Sequence, residues 1–140
     1  MGPKRYYEIM DLMIEASAYD IESNSKLLWC DKKQLKVISN AGHIVGVHSH
    51  THPTRISEFD YDSQLQEYGL CKEILEGVIQ KKVLSASYPN GRTNNDTEII
   101  MKKLGIELAF KDSMVPFESV LMMPRNNHAD ILKEMKTRFS

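Results

Sequence analysis

The residues most able to do chemistry lie in one short segment, residues 42–53. Four of the five histidines of the chain fall within it: His43, His48, His50 and His52. Neutral imidazole is the commonest metal-ligating side chain in proteins. His48 and His52 are four residues apart, and they can bind one divalent cation if the backbone turns after the apolar run before them. The segment therefore predicts metal chemistry.

Composition and charge exclude several other classes of protein. The chain has 140 residues, which fit one domain, and its 41% hydrophobic content is too high for a disordered protein. A net charge of −1 provides no basic field that would attract nucleic acid or anionic lipid. No apolar run approaches the ~20 residues of a membrane span, and no signal-peptide core follows Met1, which predicts a cytoplasmic location. Cys30 and Cys71 belong to no CxxC pair and are expected to be free thiols.

Helix and strand patterns alternate along the chain. Apolar spacing and capping signals predict helices over residues 4–18, 31–40, 60–80, 96–104 and 129–138. Asp31 is the expected N-cap of the second helix, either Asp60 or Asp62 of the third, and Gly105 should terminate the fourth. Residues 19–30 are predicted to be irregular. Strands are expected over residues 43–47, 82–87, 107–110 and 120–123, with a turn over residues 88–91.

This alternation predicts an α/β fold, either a parallel sheet or a barrel with outer helices. Sites in such folds gather at the carboxyl ends of the strands. Three polar, turn-rich segments follow predicted strands: the histidine segment, residues 88–91 and residues 124–128. We therefore expect all three to lie on the same rim.

The histidine segment resembles the second motif of the polysaccharide deacetylases, also called NodB homology domains or carbohydrate esterase family 4. That motif reads approximately G-H-E-I-G-x-H-[ST]-x-x-H-P. Residues 87–92 with 94–96 are similar to the third motif in its Y-P-x-G variant. Residues 121–125 look like the L-x-x-P-R segment near the end of short members. The resemblance covers roughly residues 27–128.

The resemblance implies a distorted (β/α) barrel of NodB type and metal-assisted removal of an acetyl group from an N-acetylated sugar. In the family a divalent cation, usually zinc, is held by two histidines and one aspartate. It polarises the amide carbonyl and activates a water. A second aspartate takes the proton of the water, a late histidine protonates the leaving amine, and a backbone N–H helps to bind the oxyanion. The implied partner is an acetylated carbohydrate.

Carried over to this chain, the resemblance assigns His48 and His52 as the metal ligands. A third ligand role for His50 remains open, although a hydrogen-bonded or solvent-facing role is favoured because its position varies in the motif. The backbone N–H of Asn90 would be the oxyanion donor. The turn would also bind substrate, through Tyr88, Asn90, Gly91 and Arg92.

Two further assignments come from the end of the chain. His128 is the candidate for the general acid, although a surface residue at a helix N-terminus is the favoured alternative. Arg125 would orient a carboxylate, replacing the arginine that many members have at the position of Ser87.

The chain also departs from the family. The first motif, T-F-D-D-G, supplies the third metal ligand and the base, and no Asp-Asp pair occurs in these 140 residues. Asp60 and Asp62 follow the histidine segment but are better explained as helix caps. Two histidines alone make an incomplete catalytic zinc site, because such sites use three protein ligands and a water.

We therefore expect residues 1–140 to form a single deacetylase-like domain that lacks the first strand of the barrel, through truncation or degeneracy. The predicted function is metal-dependent sugar deacetylation, impaired in this chain. The alternative is a catalytically inactive protein that binds a sugar or a metal. Such a protein could also self-associate, because a homo-oligomer would cover the open edge of the barrel.

Overall fold

A computed structural model describes residues 3–114, 116 and 119–138, with side chains from Arg5 onward. The chain divides into two compact units, Met1–Leu35 and Lys36–Ser140. No helix in the described part of the chain has the length and apolar character needed to cross a membrane.

The first unit is helical. It contains α1 (Pro3–Ser17) and α2 (Ile21–Leu28). The prediction that residues 19–30 are irregular is wrong, because α2 is set by its cap rather than by apolar periodicity. The Asp20 carboxylate accepts a hydrogen bond from the backbone N–H of Ser23 at 3.0 Å, and no residue of α2 is buried.

Helix α3 (Lys32–Asn40) has a capping box at its start. The Asp31 carboxylate accepts from Gln34 N at 2.7 Å, and Gln34 Oε1 accepts from Asp31 N at 2.8 Å. At the other end Gly42 has a φ of +92°, and the backbone N–H of His43 donates to Ile38 O at 3.3 Å. This is the left-handed termination that glycine favours, so the predicted start and end of the helix are both confirmed.

The second unit contains three further helices, α4 (Tyr61–Ile79), α5 (Asn95–Lys103) and α6 (His128–Arg138). Asp60 is the N-cap of α4, with its side chain accepting from Ser63 N at 2.8 Å. Helix α5 begins one residue earlier than predicted, because Asn94 and Thr97 form its capping box. Gly105, with a φ of +69°, follows α5 as expected.

Two short strands, β1 (Ser85–Ser87) and β2 (Leu108–Phe110), pair in parallel with Ala86 opposite Ala109. An isolated parallel bridge joins Val47 to Ala86, and another joins Phe110 to Met123. The order across this small sheet is therefore Val47, β1, β2, Met123.

The predicted strands over residues 43–47 and 120–123 are each reduced to a single bridging residue. In the first, only Val47 is buried, while Ile44 is 87% exposed and cannot contribute to a buried ladder. In the second, Val120–Met122 form a 3₁₀ turn because Ser119 Oγ accepts from Leu121 N at 3.1 Å. The described residues thus form a two-stranded sheet with two bridges, which is less than the NodB-type barrel lacking its first strand that was expected.

The core of the second unit packs α4 and α5 against the sheet through buried apolar side chains: Val47, Tyr68, Val83, Ala86, Ile100, Met101, Ile106, Ala109 and Leu121. A polar link crosses it. Gln64 on α4 is fully buried; its Oε1 accepts from Thr97 Oγ1 at 2.8 Å and its Nε2 donates to Phe59 O at 2.9 Å. Because buried polar groups destabilise a fold unless they are paired, this link fixes α4 relative to α5.

Candidate functional site

A cleft of about 440 Å³ lies at the carboxyl ends of the strands. All three polar segments that follow predicted strands contribute to it, which confirms that they share one rim. The lining residues are His48, His52, Tyr88, Asn90, Asp112, Arg125, Asn126, Asn127 and His128.

His48 is held by the sheet. The preceding residue, Val47, accepts from Ser87 N and donates to Ser85 O, both at 2.8 Å. His48 Nδ1 lies 2.7 Å from Ser87 O and 2.9 Å from Ser87 Oγ. A ring nitrogen that faces a carbonyl oxygen donates its proton to it, which leaves Nε2 with a free lone pair. Metal-binding histidines use this arrangement, in which an outer hydrogen bond fixes the tautomer and the ring orientation.

His52 lies in a strained loop. Residues 48–52, hereafter the histidine loop, include two non-glycine residues in the left-handed region, Ser49 at φ +65° and His52 at φ +54°. Each such residue costs about 1–2 kcal/mol, and the conformation persists only where surrounding contacts hold it. Ser49 Oγ accepts from His52 N at 3.1 Å.

A carboxylate on α4 also holds the histidine loop. Glu67 Oε2 accepts from the backbone N–H of His50 at 3.0 Å and from that of Thr51 at 2.9 Å. Glu67 Oε1 accepts from Thr51 Oγ1 at 2.7 Å. His50 itself is exposed, and the described lining of the cleft does not include it.

The rings of His48 and His52 face each other with centroids 4.9 Å apart and planes inclined at 57°. Two imidazoles that share one zinc through ~2.1 Å bonds have ring centres roughly 5 Å apart, so this pair fits two positions of a metal site. Among the described residues, no three His, Cys, Asp or Glu side chains are grouped closely enough to hold a metal ion. The histidine pair could therefore supply at most part of the donor set of a metal site.

The turn after β1 forms another part of the cleft. Pro89–Gly91 make one 3₁₀ turn, in which Asn90 has a φ of +51°. Asn90 follows a proline at the start of this turn, and N–H groups at that position lack a partner within the helix. Its side-chain Nδ2 donates to Thr54 O at 3.4 Å, which joins this turn to the chain after the histidine loop.

Gly91 allows a carboxylate to approach the turn. Gly91 has a φ of +60°, and a Cβ at this position would overlap Asp112 Oδ1 and lie 2.7 Å from Asp112 Cγ. Any side chain here would displace Asp112 from the cleft. Asp112 comes two residues after β2. Like the three polar segments, it therefore lies at the carboxyl end of a strand, where sites gather in such folds.

Tyr88 contributes to the cleft from the core. It is 1% exposed, and its hydroxyl donates to Leu121 O at 2.6 Å. Its ring meets Tyr68 edge-on at 6.4 Å, and burial raises the pKa of Tyr88 above the usual tyrosine range. The hydroxyl is thus engaged in the fold. Arg92 is exposed and is not among the described residues that line the cleft.

The remaining cleft residues come from the 125–128 segment. Arg125, Asn126 and His128 are exposed, and His128 is the first residue of α6. Asn127 Oδ1 accepts from Ala129 N at 3.1 Å, which caps that helix. The segment brings Arg125 to the same cleft as Asp112, and His128 to the same cleft as the histidine pair.

Comparison with known proteins gives a clear relationship. The sequence profile described as polysaccharide deacetylase matches residues 10–109, most of the chain. The chain belongs to the polysaccharide deacetylase family. No match was found to the sequence of any curated protein.

Solved deacetylase structures show the same fold. The Streptococcus pyogenes deacetylase PplD, in complex with acetate, is similar with a TM-score of 0.63 and 24% identity, covering 69% of this chain and 44% of that one. IcaB from Ammonifex degensii has a TM-score of 0.64 and 17% identity, covering 77% and 52%. A mutant of BA3943, a CE4 family pseudoenzyme, has a TM-score of 0.52 and 22% identity, covering 56% and 28%. The chain thus spans about half of these proteins or less.

The sequence analysis did not predict several residues of the candidate site. Asp112 could have been found from its position after a predicted strand. Ser87 stands beside His48 through a parallel pairing across 39 residues, and Glu67 meets the histidine loop across 16 residues. No local pattern signals either contact, because the first is made only when Val47 pairs with β1 and the second only when α4 meets the histidine loop.

Proposed function

We propose that this chain acts in the metal-dependent removal of acetyl groups from N-acetylated sugars in a carbohydrate, with impaired activity in the chain as given. Family membership supports the reaction class. The observation on which the proposal depends is the facing pair of His48 and His52, with His48 oriented by Ser87 so that Nε2 is free. We further propose that the sheet and helices are part of a NodB-type barrel without its first strand, which the structural likeness supports.

A divalent cation, with zinc as the first candidate, would be held by His48 and His52. When bound, it polarises an amide carbonyl and lowers the pKa of a water. The residues of the chain would then act around the substrate. The backbone N–H of Asn90 would donate to the developing oxyanion, and a protonated His128 ring would give its proton to the leaving amine. The aspartate that accepts the proton of the attacking water in the family belongs to the T-F-D-D-G motif that this sequence lacks, which is one reason to expect impaired activity.

Substrate would be held by the rest of the cleft. Asn90 and Gly91 would contact the sugar from the turn, and Tyr88 would form the floor beneath the sugar. Arg92 could reach only a sugar that extends beyond the cleft. Arg125 would orient a carboxylate, and Asp112 is the carboxylate that lines the same cleft.

The activity is expected to be impaired because too few metal-binding side chains are present. The sequence contains no Asp-Asp pair, and the described residues offer no third ligand beside the two histidines. The same observation favours a second candidate function: a catalytically inactive member that binds a sugar or a metal. The shared fold with a CE4 family pseudoenzyme is compatible with this alternative. This alternative includes self-association of the protein to cover an open barrel edge, which sedimentation would detect.

Metal titration and acetate release together test the proposal. The chain would be titrated with Co²⁺ and Zn²⁺ by calorimetry and then incubated with N-acetylglucosamine oligomers, with acetate measured. We expect metal binding that His52→Ala abolishes and that His43→Ala, an exposed histidine of the same segment, leaves unchanged. Binding with slow acetate release supports the deacetylase, and binding without release supports the inactive alternative. If wild-type protein binds neither metal, the metal-dependent function is excluded.

A further inference from the structure

We propose that Glu67 is a positioning residue for the metal site, holding the histidine loop so that His52 stays opposite His48. This inference depends on the proposed function to the extent that the histidine pair binds a cation. The structural part of the inference is that Glu67 sets the geometry of the histidine pair. This part depends only on contacts within the chain.

The first argument is the number and kind of hydrogen bonds. One carboxylate accepts three hydrogen bonds from two consecutive loop residues, His50 and Thr51. Hydrogen bonds to an ionised carboxylate are roughly twice as strong as those between neutral groups. The three bonds fix the backbone at the centre of the loop, between the two residues whose side chains face the cleft.

The second argument is the strain in the loop. Ser49 and His52 both have left-handed backbones, and they lie on either side of the two N–H groups that Glu67 holds. Water could satisfy those N–H groups if the carboxylate were absent, but water would not keep Ser49 and His52 in a costly conformation. Without Glu67 the loop is therefore expected to relax, and the 4.9 Å spacing of the rings would be lost.

The third argument is the rigidity of the helix that carries the carboxylate. Gln64, Glu67 and Cys71 are three and four residues apart, which places them on one face of α4. Gln64 is fully buried and tied to α5, as described above. Cys71 on the same face is half-buried. One helix face thus carries both the buried link to α5 and the carboxylate that holds the centre of the histidine loop.

Three variants test the role of Glu67. Glu67→Ala removes all three hydrogen bonds, and we expect Co²⁺ affinity to fall by about tenfold or more, the usual effect of losing an outer support of a metal ligand. Glu67→Gln should restore most of the affinity, because its amide oxygen can accept from both N–H groups and its amide nitrogen can donate to Thr51 Oγ1. Glu73→Ala, at an exposed position on the same helix, should bind like wild type.

A metal-free readout separates this inference from the proposed function. Ring-to-ring NOEs between His48 and His52, and amide exchange at His50 and Thr51, would be measured by NMR without metal. We expect weaker NOEs and faster exchange in Glu67→Ala but not in Glu67→Gln. If wild type binds no Co²⁺ yet these signals change as expected, the metal function fails and the positioning role stands.

Retained NOEs and unchanged amide exchange in a folded Glu67→Ala protein would overturn the inference, as would wild-type Co²⁺ affinity. If Glu67→Ala does not fold, Thr51→Val removes only the bond to Oε1 and keeps the side-chain shape. A smaller change in the same direction supports the inference, and no change overturns it.

Discussion

Two segments line the same cleft, the histidine loop and the 125–128 segment, and their backbones are held differently. Helix α4 and strand β1 hold the histidine loop through Glu67 and Ser87. The hydrogen bonds that the described part of the chain gives the 125–128 segment run from Asn127 into the first turn of α6. One side of the cleft is thus preorganised by tertiary contacts, while the other depends on local capping.

This difference matches the tasks proposed for the two segments. Metal ligands lose affinity when their geometry is loose by even a small amount, so they need outer support. Exposed polar side chains such as Arg125 and Asn126 can adjust to a sugar without disturbing the core. Substitutions should therefore have large effects where tertiary contacts meet and small effects in the 125–128 segment.

The largest effect is expected for Gly91→Ala. The new Cβ would meet the Asp112 carboxylate, and alanine disfavours the φ of +60°. The Asp112 side chain would have to move aside, and the backbone strain should lower the free energy of unfolding by about 1–2 kcal/mol. Urea denaturation would measure this. Gly77→Ala, in the middle of α4 with open space around its Cα, is the matched control and should be neutral or stabilising. Equal effects at both positions would contradict the packing argument.

A smaller effect is expected for Ser87→Ala, which removes one of the two oxygens beside His48 Nδ1 and leaves the Ser87 carbonyl in place. The ring keeps one orienting bond, so Co²⁺ affinity should fall by about three- to tenfold rather than disappear. Calorimetric titration would show it. Ser85→Ala, on the same strand, should leave the affinity unchanged. An unaltered affinity in Ser87→Ala would mean that the carbonyl alone fixes the ring.

Acid should weaken the helix that supports the histidine loop. Glu76 on α4 accepts from Lys72 Nζ at 2.7 Å and from Val83 N at 2.8 Å, and these bonds lower the pKa of Glu76. A lowered folded pKa gives stability that is present above the ordinary glutamate value of 4.5 and lost as pH falls through the folded pKa. The loss should be up to about 1 kcal/mol. Denaturation at a series of pH values should show a smaller loss of stability toward acid in Glu76→Gln than in wild type, since Asp60 and Glu98, whose pKa values are also lowered, keep their own contributions.

The smallest effect is expected in the 125–128 segment. Asn126→Ala should change the free energy of unfolding by less than about 0.5 kcal/mol, because Asn126 is an exposed side chain outside the core. Metal affinity should also stay unchanged, while binding of acetylated oligosaccharide, followed by NMR titration, should weaken. A large loss of stability would show that this segment is held as firmly as the histidine loop.

Local signals in the sequence predicted the helices well. Asp31, Asp60 and Gly105 act at the helix ends as expected, since caps depend only on residues within one turn. The same principle explains the missed helix: Asp20 caps α2, but no residue of α2 is buried, so no apolar pattern marks it. The predicted strand over residues 43–47 does not form. Val47 is buried because it pairs with β1, but this burial does not extend to its neighbours.

The candidate site was predictable where a motif lies within one segment, as for the ring pair of His48 and His52. It was not predictable where contacts join distant residues, as for Ser87 and Glu67. Asp112 is an intermediate case. Its position just after a strand predicts that it lies on the rim, but only its close approach to Gly91 places it in the cleft.

The contact between Glu67 and the histidine loop also makes the site a reporter on helix α4. If the loop binds cation only while α4 is formed, then cation and helix are thermodynamically linked, and each must stabilise the other by the same free energy. Saturating metal should therefore slow amide exchange along Tyr61–Ile79, far beyond the residues that touch it. Conversely, whatever unwinds this helix would release the cation, so cation affinity would measure how often the helix opens.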